Sequence, residues 1–326
     1  MTENNITIKE IISYFLESNR IILICHVRPD GDTLACAYAL KRVLEKQGKK
    51  IICVSSDKVS DRLSFLCDDK TYLPSEVPKD YSPDLVVSVD VASVSMLGDC
   101  KELISLARSI KIDHHYGDDC FADYNYTIPE SASCSEIIYD IIKAMDAFDE
   151  KVCALLYAGI SFDTGCFKHS NVTKDTFIKA AELLDYGVDT AYINQLLFGN
   201  KTKKEIEALK MAYNNLQFFE DGKIAITCIT NKMREEKGLS EDDVADLAQI
   251  PIEIEGVLIG ATLKEKGDKP GNYKISMRSR PGTSAENACK RLNGGGHTCA
   301  AGGLAVADTK ELAIKTVYEA MLPEIK

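Results

Sequence analysis

Apolar residues recur along this chain with two periods, and the order of the two changes once. Residues 6–18 carry Ile8, Ile11, Ile12, Phe15 and Leu16 at helical spacing, with Lys9, Glu10 and Glu17 between them, which predicts an amphipathic helix. IILIC (21–25) is a β-branched run of the kind that fills a strand buried on both faces. HVRPDGD then breaks regularity at Pro29 and Gly31, and Asp32 is placed to cap a helix running from Thr33 to Gly48. Strands are predicted at KIICVS (50–55), DLVVSVD (84–90) and SIKIDHH (109–115), with helices around 99–108 and over 134–146, 151–162 and 174–186. Strands alternating with helices predict right-handed βαβ units and a parallel sheet.

After about residue 187 the order changes. Residues 190–218 contain no Pro and one Gly, Gly199, and read as a long helical connection. KIAITCIT (223–230) reads as a strand, and Ser240 opens a helix over 241–249 that ends before Pro251. EGVLIGATLKEK (255–266) and NYKISMRSR (272–280) form an antiparallel hairpin across GDKPG. A short helix at 284–292 leads into NGGGH, and a last helix covers 309–321. The predicted class is α/β: a parallel-sheet domain over 1–187, a helical linker over 188–218, and a smaller α+β domain with a mixed sheet over 219–326.

Composition narrows the functions open to such a chain. Its 326 residues suit two domains. The longest apolar stretch is about eleven residues, Val152 to Phe162, short of the ~20 needed to cross a bilayer. The amino terminus lacks a basic start, an apolar centre and a cleavage site, so a cytoplasmic protein without a membrane partner is expected. The net charge of −11 disfavours long duplex nucleic acid, whose affinity comes from Lys and Arg on phosphates. Phosphate chemistry on this chain needs metal ions or a small basic pocket. The twelve cysteines contain no C-x-x-C pair, which leaves them as buried, reduced, small apolar side chains.

Acids and histidines gather at predicted strand ends. His26, Asp30 and Asp32 follow one strand, Asp90 ends another, Asp113, His114 and His115 end a third, and Asp163 follows the helical run 151–162. In open α/β sheets ligands lie outside the carboxyl ends of strands, so these residues converge on one rim. PDGD alone is ordinary turn chemistry, and Asp90 alone suits a helix cap; their joint placement is what points to a site. Carboxylates mixed with imidazoles favour Mn²⁺, Mg²⁺ or Fe²⁺ over structural zinc, and Asp90 is the natural bridge of a two-ion centre. In the second domain NGGGH offers the Gly294, Gly295 and Gly296 amides to an oxyanion. Arg278 and Arg280, two apart on a strand, would share a face and meet one phosphate.

HVRPDGD, SVD, DHH and SFDTG, in that order, resemble the four motifs of the DHH phosphoesterases, and GGGHTCAAGG resembles the glycine-rich motif of their DHH-associated C-terminal domain. The resemblance covers nearly the whole chain and is strongest to the stand-alone NrnA-type branch, which acts on very short RNA and on adenosine 3′,5′-bisphosphate (pAp). It implies two divalent ions, Mn²⁺ foremost. His26, Asp30 and Asp90 would hold one, and Asp32, Asp90, His114 and Asp163 the other. His115 would face the phosphate, and Asp113 would support a ligand imidazole. Arg278 and His297 would grip the nucleotide, with Arg280 and Asn171 as further candidates, while His169 reads as loop surface.

The implied activity is hydrolysis of short RNA and small nucleotides, and a homodimer is compatible with it. A cyclic di-AMP or pApA phosphodiesterase is the alternative within the same motif set. The GGGH motif disfavours an inorganic pyrophosphatase. The full ligand set disfavours a nucleotide sensor without catalysis. The absence of a basic groove disfavours a processive exonuclease.

Overall fold

In the computed structural model, which describes residues 5–117, 119–244 and 247–325, the amino-terminal amphipathic stretch is helix α1 (Ile8–Glu17). Thr7 and Glu10 form a capping box: the Glu10 amide donates to the Thr7 hydroxyl at 3.3 Å and the Thr7 amide to the Glu10 carboxylate at 2.8 Å. Strand β1 (Arg20–Ile24) explains its unbroken apolar run by being covered on both sides. Ile21 and Leu23 pack with Leu40, Leu44, Ile138 and Leu156, whereas Ile22 and Ile24 pack with Val86, Leu97 and Cys100.

Helix α2 (Gly31–Lys46), strands β2 (Lys50–Val54), β3 (Thr71–Tyr72), β4 (Leu85–Val89), β5 (Arg108–Asp113) and β6 (Tyr124–Thr127), and helices α3 (Cys134–Ala144), α4 (Glu150–Asp163), α5 (Lys174–Leu184) and α6 (Thr190–Asn194) complete the first of two compact units, Met1–Asn200. Its sheet runs β3-β2-β1-β4-β5-β6, and every pairing is parallel. The edge strands β3 and β6 are short and polar, so periodicity does not mark them.

The second unit, Lys201–Lys326, holds α7 (Lys203–Asn214), β7 (Gln217–Phe219), β8 (Ile224–Ile229), α8 (Asn231–Glu236), β9 (Ile259–Lys266), β10 (Lys269–Ser279), α9 (Ala285–Lys290), β11 (Gly295–His297), β12 (Ala300–Val306) and α10 (Lys310–Met321). Its sheet runs β11-β12-β10-β9-β8-β7 and is mixed, with β8 and β9 parallel and the other neighbours antiparallel. Ile226, Leu263, Ile275 and Met277 on the sheet pack against Ala288, Ile314 and Val317 of α9 and α10. The α/β class expected from the strand–helix order is the class observed.

Several local expectations are corrected. Asp30, not Asp32, caps α2, accepting the Asp32 and Thr33 amides on Oδ1 at 2.9 and 3.2 Å. The stretch around 99–108 is a 3-10 run over Val94–Leu106, interrupted at Gly98, whose φ is 53°. The expected helix over 190–218 is broken. α6 passes into a π turn (Gln195–Gly199), Asn200 is extended, and a Thr202–Glu205 capping box starts α7 afresh. That box is a start signal which outweighs the absence of proline. Within 241–249 a 3-10 turn occupies Asp242–Val244, and residues 245–246 lie outside the described residues. The β9–β10 turn is Gly267–Asp268, and the pairing register slips between Lys269 and Tyr273. All twelve cysteines are free.

Candidate metal centre

The strand order reverses between β1 and β4, so a crevice opens at their carboxyl ends, where doubly wound sheets bind ligands. β1 delivers His26 and the turn to Asp30, β4 delivers Asp90, β5 delivers Asp113, His114 and His115, and α4 ends on Asp163. Asp90 has a left-handed backbone, φ 60°, a conformation that Asp tolerates better than most residues. Its amide donates to Ile112 O at 2.9 Å, which holds the turn against β5.

The side chains form three overlapping groups: His26, Asp30 and Asp90; Asp32, His114 and Asp163; and Asp90, His114 and His115. His26 Nε2 lies 3.4 Å from Asp30 Oδ1 and 3.6 Å from Asp90 Oδ2. His114 Nε2 lies 3.4 Å from Asp90 Oδ1 and 3.2 Å from Asp163 Oδ2. Asp90 thus turns one oxygen to each of the first two groups. Its Oδ1 and His114 Nε2 are buried without a hydrogen-bond partner, an arrangement that a cation between them would satisfy. The donor set, four carboxylates and two imidazoles, suits a hard divalent ion.

The surrounding bonds fix how each ligand points. His26 Nδ1 donates to Val27 O at 2.7 Å and His114 Nδ1 to Ser131 O at 3.2 Å, so both rings present Nε2 to the centre. Asp32 is fully buried and accepts the Cys134 and Ser135 amides at the start of α3, at 2.7 and 3.0 Å. Gly159 permits this approach, because a Cβ there would lie 2.0 Å from Ser135 Oγ and 2.7 Å from Asp32 Oδ1. Asp113 braces an imidazole, that of His115 in the Asp90–His114–His115 group, rather than that of His26 or His114. Its Oδ1 accepts His115 Nδ1–H at 2.8 Å, and His114 is braced by the Ser131 carbonyl instead. Asn171 Nδ2 donates to Ala132 O at 2.9 Å and Asp163 O at 3.2 Å, tying the Asp163 turn to the loop before α3. His169 also donates to Asp163 O, at 3.2 Å.

Lys111, Gly159 and the α3 amides are missed by the motif reading. A lysine between Ile110 and Ile112 in an apolar strand was a legible signal. The other two depend on helix packing.

Electrostatics follow from crowding acids and imidazoles. Burial opposes a charged His114, but Asp163 and Asp90 outweigh it and push the ring up to about 12. Burial likewise opposes a charged His26, which Asp30 and Asp90 push up to about 9. Burial, with Asp163 and Asp90 nearby, drives Asp32 well above the usual carboxylate range. A cation held by His26 and His114 would require neutral imidazoles, so its uptake near neutral pH would expel the protons on both rings. Affinity for Mn²⁺ is therefore expected to rise with pH between about 6 and 9, with about two protons released. Calorimetry in buffers of different ionisation heat measures that number, and zero release would show that the imidazoles take no part.

In the second unit Arg278 and His297 both pair in register with Ala300, from β10 and β11 on either side of β12. Directly opposed residues share a face, so the two candidates flank a small side chain, roughly 10 Å apart across two strand spacings. Arg280 does not join them. The strand ends at Ser279, and the Arg280 guanidinium donates to Val257 O at 2.9 Å and Ile252 O at 3.0 Å. The glycines are not a run of free amides either. Gly294 N donates to Cys289 O at 2.9 Å, closing α9, while Gly295 and Gly296 pair with Gly302 and Ala301. What they provide is close approach, since a Cβ on Gly294 would lie 2.1 Å from Gly302 O.

A doubly wound sheet with acid–imidazole groups at its reversal point defines a protein whose centre is suited to divalent cations. The family comparison places it further: the model of the DHH family N-terminal domain matches residues 20–160 and that of the DHHA1 domain residues 221–322. The chain belongs to the DHH family of phosphoesterases, in the form that carries a DHHA1 domain.

Among curated relatives, the probable bifunctional oligoribonuclease and PAP phosphatase NrnA of Streptococcus mutans is 30% identical over 90% of this chain and 92% of its own. The Bacillus subtilis NrnA is 29% identical over 90% and 91%. The cyclic-di-AMP phosphodiesterase GdpP of Geobacillus thermodenitrificans is 26% identical over 89% of this chain but 45% of its own. The same fold occurs in the crystal structure of an exopolyphosphatase-related protein from Bacteroides fragilis (TM-score 0.86, 22% identity, 97% and 95% of the two chains). It also occurs in RecJ with Mn²⁺ from Thermus thermophilus (TM-score 0.57, 14% identity, 98% and 54%). Among the described residues no helix is long and apolar enough to cross a membrane.

Proposed function

We propose that this chain hydrolyses very short oligoribonucleotides and pAp. The observation that carries the reading is end-to-end similarity, through both units, to relatives named as bifunctional oligoribonuclease and PAP phosphatase. In this reading His26, Asp30 and Asp90 hold one divalent ion, and Asp32, Asp90, His114 and Asp163 hold a second, with Mn²⁺ the preferred metal. Bound ions of this kind polarise phosphoryl oxygens and lower the pKa of water. His115, 41% exposed and held through Nδ1 by Asp113, turns its other ring nitrogen to the phosphate. Arg278 supplies positive charge and His297 a ring N–H to a substrate phosphate, and Asn171 acts by steadying the Asp163 turn. The Gly294–Gly296 segment shapes the edge of the sheet on which His297 stands.

Substrate length tests the reading. Long-strand binding draws on many Lys and Arg contacts, which a chain of net charge −11 is poorly equipped to supply. With Mn²⁺ at fixed salt, kcat/KM is expected to be highest on pAp and on RNA of about two to five nucleotides, and to fall at least tenfold by about twenty-four. A twenty-four-mer cut as well as a dinucleotide would overturn it. The likeness to GdpP supports a second reading, a cyclic di-AMP or pApA phosphodiesterase, and those substrates ranking first in the same assay would favour it.

A further inference from the structure

Lys111 stands within β5 between Ile110 and Ile112, its side chain 3% exposed. An ammonium at that depth persists only where it is paired and hydrogen-bonded. Its Nζ donates to Ala92 O and to Asp119 O, each at 3.1 Å, and lies 3.3 Å from Asp113 Oδ2. Phe121 covers it from 5.4 Å. Three of these partners lead to the metal centre. Ala92 lies two residues beyond Asp90, Asp119 follows the His114–His115 turn, and Asp113 receives the Nδ1–H of His115.

We propose that Lys111 is a positioning residue for phosphoester hydrolysis, a buried cation that aims Asp113 at His115 and ties down the chain after β4 and after β5. This deepens the reading above and rests on it. Among the described residues Asp113 Oδ2 has no hydrogen-bond donor, and the Lys111 ammonium 3.3 Å away is the charge that faces it, leaving Oδ1 to His115. Without the ammonium the carboxylate is free to turn, and the His115 ring loses the acceptor that sets its tautomer. The proposed metal ligands keep their own braces at Val27 O, Ser131 O and the α3 amides, so cation uptake survives.

The test is a double-mutant cycle on the full chain. Lys111→Met removes the charge at similar volume. Lys111→Gln, a milder change should the first not fold, keeps a donor without charge. Each is combined with His115→Ala and assayed on pAp, on a diribonucleotide and on bis(p-nitrophenyl) phosphate, with metal content measured alongside. The His115 tautomer is read by long-range ¹H–¹⁵N correlation in the Mg²⁺ form.

The expected result is kcat down at least roughly tenfold, KM within about threefold, metal content unchanged and the single Nδ1–H tautomer lost. In the His115→Ala background the Lys111 change should cost much less, only what the Ala92 and Asp119 contacts contribute. An equal loss in both backgrounds, wild-type kcat, or an intact tautomer would overturn the proposal. If both nucleotides are inert while the aryl ester is cleaved, the substrate reading fails and the cycle is read on the aryl ester. If no ester is cleaved, the tautomer alone decides.

Discussion

Asp90→Asn protein is expected to emerge from desalting with neither cation bound, and with kcat/KM lowered on the order of a thousandfold, since the ions supply several kcal/mol of transition-state stabilisation. The carboxylate faces His26 at 3.6 Å through one oxygen and His114 at 3.4 Å through the other, so its loss opens both proposed ion sites. Asp30→Asn leaves the Asp32, His114 and Asp163 group intact and should weaken one ion. Asparagine is the better substitute than alanine because it accepts the left-handed backbone, φ 60° at this position.

Stability should move the other way. Burial, together with Asp30 and Asp163, pushes the Asp90 carboxyl up to about 6 despite the opposing pull of the His114 ring 3.4 Å away. A carboxyl raised on folding is favoured when protonated, so its penalty is absent below about 4, grows between about 4 and 6, and is complete above. Metal-free Asp90→Asn should therefore melt no lower than metal-free wild type at pH 7.5, by scanning fluorimetry in chelator. An Asp90→Asn protein that keeps two ions and most of its activity would remove Asp90 from the bridging position.

Arg278→Ala and His297→Ala are expected to leave metal content near wild type while lowering kcat/KM on pAp roughly 30- to 1000-fold, the equivalent of about 2–4 kcal/mol for a charged phosphate contact. The two residues oppose the same small side chain, Ala300, from strands on either side, and one phosphate group or its bridging waters suits the gap between them. Arg280→Ala provides the contrast. Its guanidinium closes the Ile252–Val257 segment through two carbonyls, so its loss should lower the melting temperature more than kcat/KM. Steady-state kinetics within threefold of wild type for Arg278→Ala would make that residue structural.

The parallel sheet and the rim of acids were legible because three inner strands are largely apolar, Lys111 in β5 excepted, and stop at a charged or imidazole residue. IILIC stops at His26, LVVSV at Asp90 and SIKID at His114. What periodicity could not reveal was which hydrogen bonds those residues make. Asp30 and Asp32 are both cap residues by type, and the choice between them depends on the turn Pro29–Gly31, not on composition. Asp113 precedes both histidines, and only the bend after β5 determines that it meets the second. Arg278 and Arg280 alternate correctly for a shared face, but a segment 23 to 28 residues earlier in the chain, at Ile252–Val257, claims the second. The glycine run reads equally as a turn or an anion nest, and pairing with β12 makes it a strand.

The proposed ion ligands come from four separated points of the chain, from the His26–Asp32 turn after the first strand to Asp163 at the end of α4. No stretch of local structure contains a complete site, since Asp32 needs the start of α3 and His114 needs the loop before it. During synthesis such a centre stays incomplete until α4 has left the ribosome, so the nascent chain passes through a long interval in which it holds no ion firmly. Ions held by the proposed ligands would crosslink the turn after β1 to the end of α4. Opening any of those segments would then require giving up a cation, which would couple the stability of the unit to the free concentration of metal around it.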